Sequence, residues 1–270
     1  VEGEPIVRAA TETAAAISAT PGLNGTIQAT PTGTLTPQAG VTITPGAGGG
    51  TAITTGTPSG KTFRDMGEDL GLDDVRAQDL QSNETQGWGL PLEAGDEVVI
   101  SVLGETGLDV VIAITDESQT QIVEQNSAGS GQMEILTFPA PADGDYQLHI
   151  RAVNSQVGAY LLTISDDFLP MLPQRFLKYG DTNGGTIYVD ELHYWAFRGE
   201  SGNVISVNLA SQTNANLLMT LYDAEGEAVS DLFFVEAIES FVLPETGLYI
   251  LELEEWGLDQ NQYQISLVGQ

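Results

Sequence analysis

Cysteine is absent from the 270 residues, which removes disulfides, thiol catalysis and cysteine-ligated metals from consideration. Basic residues are scarce: 8 Lys and Arg stand against 38 Asp and Glu, for a formal net charge of −30. A field of that sign repels nucleic acid and anionic membrane surfaces, so neither is expected as a partner. It admits cations, neutral polymers such as glycans, and other copies meeting through uncharged surface. Long apolar runs are missing as well. Stretches such as Val110 to Ile114 fall far short of the ~20 residues that cross a bilayer as a helix, so no membrane insertion is expected. Only two histidines occur, and neither His149 nor His193 falls in a Ser/His/Asp or metal-ligand spacing. Paired carboxylates are so common at this charge that closeness in sequence does not identify a glycosidase pair. The chain is therefore read as non-enzymatic, with no cofactor required. No signal-peptide pattern begins at Val1, which leaves the compartment open.

Residues 1 to 60 lack more still. They hold no aromatic, and no charge occurs between Thr13 and Gly60. Three acids and one base in this segment leave 35 acids and 7 bases, a net of −28, on residues 61 to 270. What the segment does have is fourteen threonines, with prolines at 21, 31, 37, 45 and 58 alternating with short β-branched runs around Ile27, Leu35, Ile43 and Ile53. Proline at that spacing forbids long helices after Pro21. Two readings remain. So little apolar surface suits a stalk that does not fold alone. The uncharged β-branched runs equally suit an arm that adds a strand to the sheet edge of a neighbouring subunit, with Ile27, Leu35, Ile43 and Ile53 as its contact residues. Gly56-Thr-Pro-Ser-Gly60-Lys61-Thr62 imitates a phosphate-binding loop, but three residues separate the glycines where four are needed, and no apolar strand precedes it.

The rest of the chain repeats itself. Pro141-Ala-Asp-Gly144-Asp-Tyr146, with Tyr160 fourteen residues on, returns as Pro244-Glu-Thr-Gly247-Leu-Tyr249 with Tyr263, at an offset of 103 residues throughout. That length signals a duplicated domain, since solenoid repeats have periods of about 20 to 50 residues. Proline and glycine mark a turn feeding a strand anchored by tyrosine. Strand patterns recur at short spacing in both copies. In the first they cover Trp88–Leu92, Glu97–Leu103, Asp109–Thr115, Gln121–Gln125, Met133–Phe138, Tyr146–Ala152 and Gly158–Ile164. In the second they cover Leu192–Arg198, Asn203–Leu209, Leu217–Tyr222, Ala228–Phe233, Glu239–Leu243, Tyr249–Leu253 and Gln262–Leu267. Val-Ile-Ser-Val occurs at Val99 to Val102 and again at Val204 to Val207. The polar stretch from Phe63 to Gln86 gives no clear pattern, and Asp166 to Tyr179, with Pro170 and Pro173, reads as a hydrophobic connector that packs the copies together. The fold class that follows is all-β: two tandem jelly-roll-like β-sandwiches, residues 61–167 and 168–270, behind a Thr/Pro/Gly-rich arm at 1–60.

Several residues of the second copy carry a resemblance. Tyr194-Trp-Ala-Phe197, the strand from Gly202 to Leu209, the turn from Asp223 to Gly226, Pro-x-x-Gly-x-Tyr and the final Tyr263 strand together resemble the bacterial pre-peptidase C-terminal domain. The first copy matches with Trp88 and Pro141 to Tyr146 but has Gln119 in place of the turn glycine. The resemblance implies a jelly-roll-like sandwich, secretion to the extracellular space or cell surface, and an accessory role beside a hydrolase.

Three motifs remain. Leu243-Pro-Glu-Thr-Gly247 spells a sortase sorting signal, but it lacks the apolar span and basic tail that anchoring needs, and it coincides with the repeated turn. Tyr179-Gly-Asp181-Thr-Asn183-Gly-Gly185, with Asp190 and Glu191 able to return, is the best candidate calcium site, because hard cations favour carboxylate and amide oxygens on loops. Trp256, whose counterpart in the first copy is Val153, sits among loop-like residues, where an indole can stack on a sugar or fill a partner's pocket. The expected function is that of a secreted structural subunit assembling with copies of itself. The alternative is an adhesion module for glycan or protein polymer, calcium-dependent in one version.

Overall fold

The computed structural model describes residues 61–166, 169–189, 191–211, 217–229, 236–256 and 260–269. They form β-strands joined by turns, with one short 3-10 turn at Val153–Ser155. The first copy contains β1 (Thr62–Asp69), β2 (Val75–Leu80), β3 (Glu84–Leu92), β4 (Glu97–Gly104), β5 (Val110–Thr115), β6 (Gln121–Gln125), β7 (Met133–Pro139), β8 (Gly144–Ala152) and β9 (Gly158–Ser165). They make a sheet ordered β1-β3-β8-β5-β6 and a second ordered β2-β9-β4-β7. The second copy contains β10 (Met171–Leu177), β11 (Thr182–Ile187), β12 (Leu192–Gly199), β13 (Val204–Ser211), β14 (Leu217–Tyr222), β15 (Ala237–Val242), β16 (Gly247–Glu255) and β17 (Asn261–Gly269). Its sheets, β10-β12-β16-β14 and β11-β17-β13-β15, repeat the first copy's connectivity strand for strand. The counterpart of β6, expected at Ala228–Phe233, lies mostly outside the described residues.

Each sandwich encloses its own core by strand alternation. Leu90, Ile100, Ile112, Leu148 and Leu162 are among the buried residues of the first, and Phe197, Val207, Leu221, Leu251 and Ile265 of the second. The repeated tyrosines explain the repeated motif. Tyr146 donates its hydroxyl proton to the carbonyl of Ala142 at 2.8 Å, and Tyr249 does the same to Glu245 at 2.8 Å, so each turn is closed by the aromatic that follows it. Neither Gly144 nor Gly247 has a left-handed φ, so the tight reversal expected of these glycines is not what they provide. The Leu-Pro-Glu-Thr-Gly segment is likewise fastened as a turn: Ser201 donates its hydroxyl to Pro244 O at 2.8 Å, and Thr246 Oγ1 accepts the Ser201 amide at 2.9 Å.

The structure corrects three readings. The polar stretch from Phe63 to Gln86 forms β1, β2 and the start of β3. The segment read as a connector contains β10, the first strand of the second copy, which pairs in parallel with β12 as β1 does with β3. Pro173 fits there because β10 lies at an edge and its register shifts between Pro173 and Arg175, where a missing N–H costs no ladder bond. The matching tetrapeptides are also not equivalent. Val99 pairs Ser165 while Ser206 pairs Val268, so Val99 corresponds to Ser206, and the two copies of Val-Ile-Ser-Val lie two residues out of register. Slipping by two preserves which side chains point inward, so the mismatch is invisible to an alternation pattern.

The sandwiches share a third apolar layer. Val75, Ala77, Ala159 and Leu161 on the outer face of β2 and β9 pack with Met171, Leu192, Tyr194, Ala196, Leu248 and Ile250 of the second copy. The main chain takes part as well: Ala77 N–H donates to Ala224 O at 2.9 Å, and Thr163 Oγ1 donates to Met171 O at 2.9 Å. The turn Asp223 to Glu227 thus covers the free edge of β2. At the rim Arg198 donates to both carboxylate oxygens of Asp79, with 3.0 Å to Oδ2.

Candidate functional site

The duplication lets each polar residue be compared with a counterpart. From β2 to the turn after β5 the copies are offset by 107 residues, so Trp88 matches Trp195, Gln86 matches His193, Glu84 matches Glu191 and Asp74 matches Asp181. In the first copy Trp88 Nε1 donates to Tyr160 Oη at 3.2 Å, and Tyr160 donates to Gln86 Oε1 at 2.6 Å. In the second, Trp195 Nε1 donates to Tyr263 Oη at 3.1 Å, and that hydroxyl lies 2.8 Å from His193 Nδ1. With Trp195 donating to it, the Tyr263 hydroxyl gives its own proton to Nδ1, which leaves the histidine proton on Nε2. Nε2 lies 3.6 Å from Glu191 Oε2. His193 is only 2% exposed, and burial lowers its pKa to about 4. It is a neutral internal bracing group.

His149 points out of its sheet, as alternation predicts, but solvent is partly excluded. Thr115 Oγ1 lies 3.1 Å from Nε2, the Phe63 ring lies tilted against the imidazole at 5.6 Å, and burial lowers the histidine's pKa.

The calcium reading is not supported by the positions of its residues. Asp181 Oδ2 accepts the Lys178 amide at 2.9 Å, as Asp74 Oδ2 accepts that of Gly71 at 2.7 Å. Glu191 Oε2 accepts the Tyr188 amide at 3.0 Å, as Glu84 Oε2 accepts that of Gln81 at 2.6 Å. These carboxylates close equivalent turns in both copies. Asn183 Oδ1 accepts from Arg175 at 3.3 Å, which puts a cation already at that oxygen. Asp181 and Glu191 lie at opposite ends of β11, whose six residues span roughly 17 Å at ~3.3 Å per residue. Asp190 lies outside the described residues, among which no group of three or more His, Cys, Asp or Glu is placed to hold a metal.

Trp256 follows β16 and is 57% exposed. Ile27, Leu35, Ile43 and Ile53 lie outside the described residues.

A feature that motif reasoning missed is a sheet face. On the outer side of β11-β17-β13-β15, β17 presents Gln262, Gln264, Ser266 and Val268, while its alternate residues Asn261, Tyr263, Ile265 and Leu267 are buried. β13 presents Val204, Ser206, Asn208 and Ala210 on the same side, and β11 presents Thr182, Gly184 and Thr186. Eleven contiguous outward positions thus carry no charge, in a chain where 17% of all residues are charged and charge concentrates at the surface. The nearest acid on the sheet is Glu239, on the edge strand β15 where its register with β13 breaks. The signal was present in the alternation of Gln262 to Val268, but it consists of what is missing.

The corresponding face of the first copy, on β2 and β9, is the one covered by the second copy. Gly184 pairs Gln264 as Ala77 pairs Leu161, so the two edges share one register.

No family model and no curated protein matches the chain. Among solved structures it is similar to the pre-peptidase C-terminal domain of a collagenase from Bacillus anthracis, with 22% identity, a TM-score of 0.32, and coverage of 36% of this chain and 94% of that one. It is also similar to PliG of Aeromonas hydrophila, a periplasmic inhibitor of g-type lysozyme, with 14% identity, a TM-score of 0.30, and coverage of 38% and 97%. A third likeness, to the PBSX exported protein XepA, spans 73% of this chain and 86% of that one at 11% identity and a TM-score of 0.28. At these scores none assigns a ligand or an activity.

Proposed function

We propose that the chain is a non-enzymatic, secreted structural protein, a self-assembling subunit of an extracellular filament or surface layer whose N-terminal arm pairs with a neighbour. The observation that carries this reading is the uncharged outer face of β11, β17 and β13 on a molecule of net charge −30. Acidic copies repel one another where their surfaces carry charge, and a charge-free face is where they approach at least electrostatic cost. The stretch from Thr13 to Gly60 matches it in lacking charge. Both histidines are engaged in hydrogen bonding, in keeping with a scaffold. Arm and acceptor are different surfaces, so their pairing is heterologous and propagates as an open polymer. Negative-stain microscopy and sedimentation of the purified chain are expected to show filaments or sheets that disappear when residues 1 to 60 are removed. A monodisperse monomer, unaffected by the deletion, overturns the reading.

A second reading is favoured by Trp256. An indole 57% exposed beside Glu254 and Glu255 suits stacking on a neutral sugar or a partner's apolar pocket, as in an adhesion module for glycan or protein polymer. Pull-down on insoluble polysaccharides and collagen is expected to fall at least tenfold in Trp256→Ala if this reading holds. Unchanged retention removes the tryptophan as the platform.

A further inference from the structure

We infer that the outer edge of β11 is the acceptor at which the arm of a second copy adds its strand. The inference rests on the arm-pairing reading and names its missing half. The first argument is internal. The equivalent edge in the first copy, β2, is not left open: Ala77 N–H donates outward to Ala224 O at 2.9 Å, from a turn of the other sandwich. Gly184 holds the same register position on β11, so its N–H is directed at the same side. This fold docks a backbone segment at that edge once within each chain, and β11 presents the second instance.

The second argument is that five of the other edges carry features that deter an added strand. β1 exposes Arg64, Asp65, Glu68 and Asp69 and loses register between Asp65 and Asp69. β6 carries exposed Glu124 and breaks register against β5. β15 breaks register against β13, with Ser240 at φ 52. β10 breaks register at Pro173. β14 is bridged by Ala228. Bulges, charges and prolines are among the devices by which sheets refuse an added strand. β11 has none of them: its six residues are uncharged and pair β17 without a break, and Gly184 and Gly185 put no side chain in the way.

The third argument is the match of the occupant. A strand added at β11 extends the uncharged face, and an incoming acidic segment would meet the field of 35 carboxylates on residues 61 to 270. The stretch from Thr13 to Gly60 carries no charge and repeats short β-branched runs, which suit the outermost position of a sheet. Fully extended it reaches roughly 150 Å at ~3.3 Å per residue, far enough to bridge to a neighbour.

The absence of cysteine makes the test clean. Two single-cysteine versions of the full chain are mixed and oxidised: one with Thr44→Cys, Thr34→Cys or Thr26→Cys in the arm, the other with Thr186→Cys on β11. A disulfide-linked heterodimer on a non-reducing gel is the expected result, and Thr182→Glu with Gln264→Glu is expected to reduce both cross-linking and assembly at least tenfold while leaving the melting temperature within a few degrees. Cross-linking of the arm to Thr137→Cys on β7, another edge of unbroken register, and not to β11, overturns the acceptor while arm pairing stands. Cross-links that form only within a doubly substituted chain, never between mixed chains, overturn the second copy as donor. Full assembly by the chain lacking residues 1 to 60 overturns the arm reading itself.

Discussion

Acidification from pH 7 to pH 4 is expected to destabilise the wild-type protein by about 3 kcal/mol more than it destabilises His193→Gln. The histidine is buried against Tyr263, and burial holds its folded pKa at about 4 against the ordinary 6.5. A histidine whose folded pKa is depressed is protonated first in the unfolded chain. Stability is therefore unaffected above about pH 6.5, falls as the pH drops below it, and levels off below about pH 4; the difference of ~2.5 pK units corresponds to about 3 kcal/mol at ~1.36 kcal/mol per unit. Of the groups facing the ring, the Tyr263 phenol is pushed upward by burial and does not titrate in this range, while the Glu191 carboxylate faces Nε2 at 3.6 Å. Glu252, whose pKa is raised by burial, contributes with the opposite sign in both proteins and cancels in the comparison. Glutamine is the replacement the molecule itself supplies, since Gln86 accepts the equivalent tyrosine proton in the first copy. Urea unfolding midpoints at pH 7, 5.5 and 4 read the effect, and parallel curves for the two proteins defeat the assignment.

The same pair shows what a sequence does and does not reveal. The all-β class and the duplication followed from short apolar strands and the repeated Pro-x-x-Gly-x-Tyr turn: β7 and β8 alternate between a buried and a more exposed face, while β5 and β9 are continuous apolar runs buried on both faces. β1 escaped because its Thr-Phe-Arg-Asp-Met-Gly-Glu-Asp sequence has no fully buried position, and β11 because Thr-Asn-Gly-Gly-Thr-Ile carries one large apolar residue. Edge strands are defined by a partner on one side only, and their local patterns reflect that. The turn-closing role of two candidate metal residues escaped for a related reason. Asp181 and Glu191 resemble a ligand loop in isolation, whereas Asp74 and Glu84 perform the same turn-closing task 107 residues earlier. The offset is 103 in the second half of the repeat, and four residues lost after the β5 turn conceal the 107-residue correspondence in the first half.

A reciprocal swap between the two copies has halves of unequal effect. Gln119 and Gly226 occupy the same turn position, with φ of 61 and 79. In the first copy the turn faces outward and a side chain is tolerated at the cost of a left-handed backbone, ~1 kcal/mol for a residue with a Cβ. Gln119→Gly removes that cost but adds glycine's flexibility to the unfolded chain, so its net effect is expected within about 1 kcal/mol of zero. In the second copy the turn is the piece that covers β2. A Cβ at Gly226 would lie 2.5 Å from Val75 O and 2.9 Å from Arg76 Nη1, and the first of these is backbone that cannot rotate away. Gly226→Gln must therefore lift the turn, break the bond from Ala77 N–H to Ala224 O, and admit water to the Val75 and Ala77 side of the shared apolar layer. Backbone strain, one lost hydrogen bond and the overpacking term together amount to about 3 kcal/mol. Thermal unfolding is expected to show a depressed midpoint for Gly226→Gln alone, and limited proteolysis to cleave this variant between Asp166 and Met171 sooner than wild type. Equal stability of the two variants would mean that the turn does not hold the sandwiches together. A loss confined to Gly226→Gln would establish that one glycine in the second copy, absent from the first, fixes which of two equivalent turns closes the seam.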